Sequence, residues 1–116
     1  MAFKDERNGI VVGGDYKEAE AGEQNAAYTR DGGATWTLAA KSPGGYRSVA
    51  AFIPGSAPSI WIAAGTSGSD YSLDDGKTWL PLDKGNYNAV SFASSHAGWA
   101  VGPHGTIVRF IGIPKG

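Results

Sequence analysis

The sequence predicts an all-β fold of short antiparallel strands, and three observations carry that expectation. Eighteen of the 116 residues are glycine, interleaved with four Trp, five Tyr and many β-branched residues, a composition of short strands joined by tight turns. An eight-residue element, Thr29-Arg30-Asp31-Gly32-Gly33-Ala34-Thr35-Trp36, returns position by position as Ser72-Leu73-Asp74-Asp75-Gly76-Lys77-Thr78-Trp79, a step of 43 residues. No segment sustains a 3.6-residue apolar period, so no helix is expected.

A step of that length fits one four-stranded propeller blade of about 40–45 residues and is long for a helical repeat. A second repeat lies between the two elements. Phe3 to Gly13 aligns with Phe92 to Gly102, and Phe52 to Gly65 is a third copy, longer within Pro54-Gly55-Ser56-Ala57-Pro58. Each copy reads as a strand, a polar turn and a second strand closed by glycine. Third strands are expected at Ala26–Arg30, Asp70–Leu73 and Thr106–Phe110, and fourth strands starting at Thr35 and Thr78. The predicted architecture is therefore about three blades of four antiparallel strands in a partial ring, the last lacking its fourth strand. Their spans are residues 1–40, 46–83 and 87–112.

The repeated element reads Ser/Thr-x-Asp-x-Gly-x-Thr-Trp and lies in the hairpin between third and fourth strands. Asp31 and Asp74 can accept hydrogen bonds from the turn's own N–H groups, and Gly33 and Gly76 allow positive φ. Thr29, Thr35, Ser72 and Thr78 complete the turns, and Trp36 and Trp79 are expected to pack between neighbouring sheets. The expected role of all ten residues is structural, because the hairpin lies at the outer rim of a blade.

This element resembles the Asp box (BNR repeat) of sialidase-like and related propellers. Together with Gly-Trp-Ala-Val-Gly at 98–102 and Gly-Thr-Ile-Val-Arg-Phe at 105–110, the chain resembles the photosystem II stability/assembly factor-like family, and more closely the C-terminal third of its bacterial relatives. The resemblance covers essentially the whole chain. It implies a longer ring, usually exported, whose final blade lacks its fourth strand and is completed by an N-terminal strand. The chain departs from that pattern in having no N-terminal blades and no closing strand, and no hydrophobic leader follows Met1. Fold similarity alone does not transfer a function.

Propeller geometry picks out one face as the place for a ligand. The loops between second and third strands align there, at Gly13-Gly14-Asp15, Gly65-Thr66-Ser67 and Gly102-Pro103-His104. The starts of the inner strands add Tyr46-Arg47 and Tyr87-Asn88, read as matching positions. A polar insertion from Tyr16 to Asn25 decorates the first loop, and long loops on a rigid scaffold are common places for function. Arg47 could pair with a carboxylate or phosphate, the tyrosines Tyr16, Tyr46 and Tyr87 could stack on a sugar, and Asp15 and His104 could serve as acid and base, with Ser67 and Asn88 on the same candidate face.

Composition narrows the classes. There is no cysteine, hence no disulfide, thiolate metal site or cysteine nucleophile. The formal charge of -1 offers nothing to nucleic acid or an anionic membrane, and no apolar run approaches the ~20 residues of a membrane span. No Gly-rich motif leads into a helix, so no nucleotide cofactor is implied, and Asp74-Asp75 lacks the further oxygens of a calcium site. The sequence reading is a non-catalytic interaction or assembly scaffold that self-associates to complete a ring, most simply as a dimer, or that adjoins missing N-terminal blades. A protein or carbohydrate is its expected ligand. The alternative is a remnant of a sialidase-like glycoside hydrolase or a carbohydrate-binding propeller. Such hydrolysis needs two placed carboxylates or a tyrosine among clustered arginines, and Arg7, Arg30, Arg47 and Arg109 are dispersed over the repeat positions.

Overall fold

The computed structural model describes residues 1–13, 25–56, 59–94 and 97–110. Among them the chain is an array of three antiparallel sheets, each built from strands consecutive in sequence, as in blades of a partial propeller ring. Sheet 1 contains β1 (Ala2–Phe3), β2 (Gly9–Val12), β3 (Ala26–Thr29) and β4 (Thr37–Leu38). Sheet 2 contains β5 (Val49–Phe52), β6 (Trp61–Gly65), β7 (Gly68–Ser72) and β8 (Leu80–Asp83). Sheet 3 has three strands among the described residues, β9 (Ala89–Ser94), β10 (Ala97–Val101) and β11 (Ile107–Phe110).

The pairing register makes the sheets superimposable residue by residue. Phe3, Phe52 and Phe92 on the first strands pair with Gly9, Trp61 and Gly98 on the second. Ile10, Ile62 and Trp99 pair with Tyr28, Tyr71 and Arg109 on the third. Side chains alternate across a strand, so each sheet has one face carrying the Phe–Gly/Trp row and an opposite face carrying the Ile/Trp row.

Packing then follows a single rule: the second face of one sheet covers the first face of the next. Between sheets 1 and 2 the core joins Ile10, Ala26, Val12 and Tyr28 to Ala50, Trp61, Ala63 and Trp79, with Trp61 and Trp79 essentially sealed. Between sheets 2 and 3, Ile62, Tyr71 and Leu82 meet Phe92 and Phe110. Phe92 and Phe110 close edge to face over Gly98, with ring centroids 5.1 Å apart. A side chain at Gly98 would run into the Phe92 ring, so this glycine is required by close approach.

Strand limits differ from the sequence expectation in one instructive way. The fourth strands begin at Thr37 and Leu80, two residues beyond Thr35 and Thr78. The carboxylates of Asp31 and Asp74 capture the backbone N–H of Thr35 and Thr78, which keeps those residues in the turn and delays the ladder.

Candidate functional site

Successive sheets are stitched on the loop-bearing face by one repeated backbone bond. The Arg47 N–H donates to the Gly13 carbonyl and the Tyr87 N–H to the Gly65 carbonyl, both at 3.0 Å. The residue after each stitch bonds back within its own sheet, Ser48 to Ala64 and Asn88 to Val101. Tyr87 therefore occupies the position of Arg47, and Asn86 that of Tyr46. The matching of Tyr46-Arg47 with Tyr87-Asn88 expected from sequence is displaced by one residue, because it followed residue identity where the structure follows the stitch.

The stitch gathers Tyr46, Arg47, Ser67 and Tyr87 near one end of the sheets. Arg47 does not point into solvent. Its Nε and Nη2 lie 2.7 Å from Asp70 Oδ1, with the two side chains 4% and 3% exposed. Its Nη1 donates to the Tyr46 carbonyl and to Ser67 Oγ, and Asp70 Oδ2 accepts from the Gly44 N–H. Tyr87 donates its hydroxyl to Asp83 Oδ2 at 2.8 Å, while Asp83 Oδ1 accepts from Ser69 and the Gly85 N–H. Burial first, then the neighbouring carboxylate, pushes the Tyr87 hydroxyl up to about 12. Asp70 and Asp83 are absent from the sequence-derived site. Asp70 lies 23 positions from Arg47, with nothing local to mark it, whereas Asp83 stands only four positions before Tyr87 and reaches Ser69 across 14.

The remaining predicted face residues do not converge with this group. His104 sits exposed in a 3-10 turn at Pro103–Gly105 with φ of 60°, and Asn88 is exposed beside it through the β9–β10 pairing. Asp15 and Tyr16 lie outside the described residues. The four arginines also stay apart. Arg7 is exposed in a turn, Arg30 lies 5.3 Å over the Tyr28 ring, Arg47 is paired inside, and Arg109 is exposed on β11.

Both rim hairpins have the geometry expected of their residue types. Thr29 Oγ1 donates to Asp31 Oδ1 and accepts from the Gly33 N–H, and Ser72 Oγ does the same with Asp74 and Gly76. Thr35 and Thr78 add hydroxyl and amide donors to the same carboxylates. These donors, Thr35 foremost, hold the Asp31 carboxyl down at about 2. At Asp74 partial burial pushes upward, and the bonds from Thr78 and Ser72 outweigh it, so the net shift is downward. Gly32 and Asp75 share the left-handed turn position, with φ of 74° and 57°. Asp75 spends its carboxylate on Lys4 Nζ at 2.9 Å and Trp61 Nε1 at 3.0 Å, tying β1 and β6 to the hairpin. The two tryptophans diverge: Trp79 is sealed between sheets 1 and 2, whereas Trp36 lies 37% exposed against Phe3 on the outer face of sheet 1. Among the described residues no group of three or more acidic or histidine side chains is placed to hold a metal ion.

Two kinds of apolar surface remain. A cleft of about 270 Å3 runs between sheets 2 and 3. The terminal faces of the array carry Phe3, Trp36 and Leu38 on sheet 1 and Trp99, Val101 and Ile107 on sheet 3, all exposed. The class defined by this architecture is a partial propeller whose polar groups near the stitches are paired with one another. No protein-family model, curated protein or solved structure matches the chain.

Proposed function

We propose that the chain is a non-catalytic propeller segment that acts as an interaction and assembly scaffold, and that a second copy covers its terminal faces to complete a ring. The observation carrying this reading is the distribution of exposed large apolar residues. Of the ten such residues among the described ones, six lie on the two outer faces, and apolar faces of this kind mark association sites.

The occupant follows from the packing rule inside the chain. The outer face of sheet 3 is the type that covers a following sheet, with Trp99 and Val101 where sheet 1 has Ile10 and Val12. The outer face of sheet 1 is the type that receives it. It offers a groove of about 200 Å3 bordered by Val11, Ala27 and Leu38. Sheet 3 of one copy on sheet 1 of another thus repeats the internal contact. Such a contact is head-to-tail, and head-to-tail contacts form a ring when the rotation closes. Two copies would give six blades, within the usual range of about 4–8. The expected ligand of the assembled ring is a protein or carbohydrate on the stitched face.

Light scattering on the purified chain tests the reading. A ring-sized oligomer at micromolar concentration is expected, with Trp99→Lys and Leu38→Lys each giving a folded monomer. A wild-type chain that stays monomeric across that range overturns it.

A further inference from the structure

We propose that the Asn8-Gly9 step is a site of spontaneous deamidation by water, that the grip of Asp5 on the Asn8 carboxamide sets its rate, and that conversion releases the Lys4 tie between sheets 1 and 2. The inference concerns one turn of the monomer, so it stands independently of self-association.

The sequence supplies the reactive step. Asn25, Asn86 and Asn88 precede Ala or Tyr, and Asn8 alone precedes glycine. In deamidation the backbone nitrogen of the following residue attacks the side-chain Cγ, and a new N–C bond forms as ammonia leaves. Water then opens the cyclic imide on either side, leaving aspartate or isoaspartate with no change of oxidation state. Glycine hinders the attack least, because it has no Cβ.

The fold holds this step back in two ways. Asn8 Nδ2 donates to both oxygens of Asp5, at 3.1 and 3.0 Å. Asp5 Oδ1 also accepts from the N–H groups of Arg7 and Asn8. These donors, the Asn8 amide foremost, hold the Asp5 carboxyl below its usual 3.8, so it is ionised at neutral pH. Attack on Cγ develops negative charge on the carboxamide, which an ionised neighbour disfavours. The peptide group between Asn8 and Gly9 is pinned as well. Its carbonyl accepts from the Lys4 N–H at 3.0 Å, and Gly9 is buried in the ladder opposite Phe3 and Thr29. Ring closure rotates that group, so it proceeds through openings of the turn.

Conversion strikes a junction between sheets. Lys4, whose N–H is anchored on the Asn8 carbonyl, extends its Nζ to Asp75 at 2.9 Å and to Ser59 Oγ at 3.1 Å. Asp75 in turn accepts from Trp61 Nε1. A carboxylate in place of the Asn8 amide sets a like charge against Asp5 where a donor stood. The isoaspartyl product also adds a methylene to the main chain at the entry to β2. Gly9 lies under the Phe3 ring, where even a Cβ would come within 2.5 Å of a ring carbon. The turn then cannot keep both the Lys4–Asn8 bond and the pairing of Phe3 with Gly9, and Lys4 is drawn off Asp75.

The test is peptide mapping by mass spectrometry of the full chain kept in mildly alkaline ¹⁸O-labelled water, folded and in urea. Label should enter at Asn8 at least about tenfold more slowly in the folded chain. Asp5→Asn keeps an acceptor for the turn but removes the carboxylate, and should raise the folded rate at Asn8 at least about fivefold with no rise at Asn88. Asp5→Ala should do the same, and the variant that keeps a native melting profile decides. In the converted fraction, separated by anion exchange, the Trp61 indole N–H resonance should be displaced. Equal rates in the folded and urea-unfolded chain, or a folded Asp5 variant no faster than wild type, would overturn the gating. A Trp61 resonance unmoved by conversion would overturn the release of Lys4.

Discussion

Replacing Asp70 with alanine should destabilise the chain more than any surface change, for a reason that can be worked from the Arg47 environment. Both guanidinium contacts to Asp70 are 2.7 Å, and the pair is almost wholly out of water. After Asp70→Ala the cation keeps, among the described residues, the Tyr46 carbonyl and Ser67 Oγ as acceptors, and the Gly44 N–H loses its carboxylate. Breaking a buried pair from one side costs about 3–5 kcal/mol, chiefly because an uncompensated charge stays behind. A chain of this length holds roughly 6–17 kcal/mol in total, at about 0.05–0.15 per residue. The loss is therefore a large share of the total. At roughly 4 °C per kcal/mol it corresponds to a fall in Tm of about 12–20 °C. Thermal and urea unfolding followed by tryptophan fluorescence read this directly. The double variant Arg47→Met with Asp70→Leu should recover most of the loss, because it removes the stranded charge and fills the space. A loss below about 1 kcal/mol in Asp70→Ala, or a double variant no better than the single, would refute the reasoning.

Three further outcomes follow from the packing and the hairpins. Trp79→Ala should cost about 3–5 kcal/mol by urea denaturation, and Trp36→Ala clearly less in the monomer, since its ring is partly exposed. The Asp31 carboxyl lies near 2 in the folded chain against an ordinary 3.8, so its stabilising effect is present above pH ~3.8 and is lost as pH falls through about 2. The stability gap between wild type and Asp31→Asn should be constant above that range and shrink toward pH 2 in acid-titrated denaturant melts. Ala100→Leu, which partly fills the cleft, should raise stability by about 0.5–2 kcal/mol, measured as an upward shift in the urea midpoint at unchanged slope.

Much of the architecture was legible because it is local or repeated. The hairpin elements carry their own hydrogen-bonding partners within five residues, as Thr29 with Gly33 and Asp74 with Thr78 illustrate, so sequence spacing suffices to place them. The all-β class follows from the same signals. Interactions that join distant residues were hidden. Asp70 pairs with Arg47 across 23 positions, and neither residue type nor spacing distinguishes such a partner from a solvent-facing acid. Tyr87 read as a counterpart of Tyr46 because both are tyrosines; only the carbonyl that its amide reaches, Gly65, assigns it to the place of Arg47. Gly98 stands where sheet 2 has Trp61 and lies under the Phe92 ring, a difference that acquires meaning only once the strands are in register.

The repeated bond between neighbouring sheets uses main-chain atoms alone. Its spacing is therefore blind to which side chain the donor residue carries, and an arginine and a tyrosine serve equally well at the two junctions. A unit tethered in this way can drift in chemistry without drifting in position. Duplication of such a unit would give descendants free to acquire different side-chain partners while each still arrives at the same angle and distance from its predecessor, which is how an array can stay periodic in space after it has ceased to be periodic in sequence.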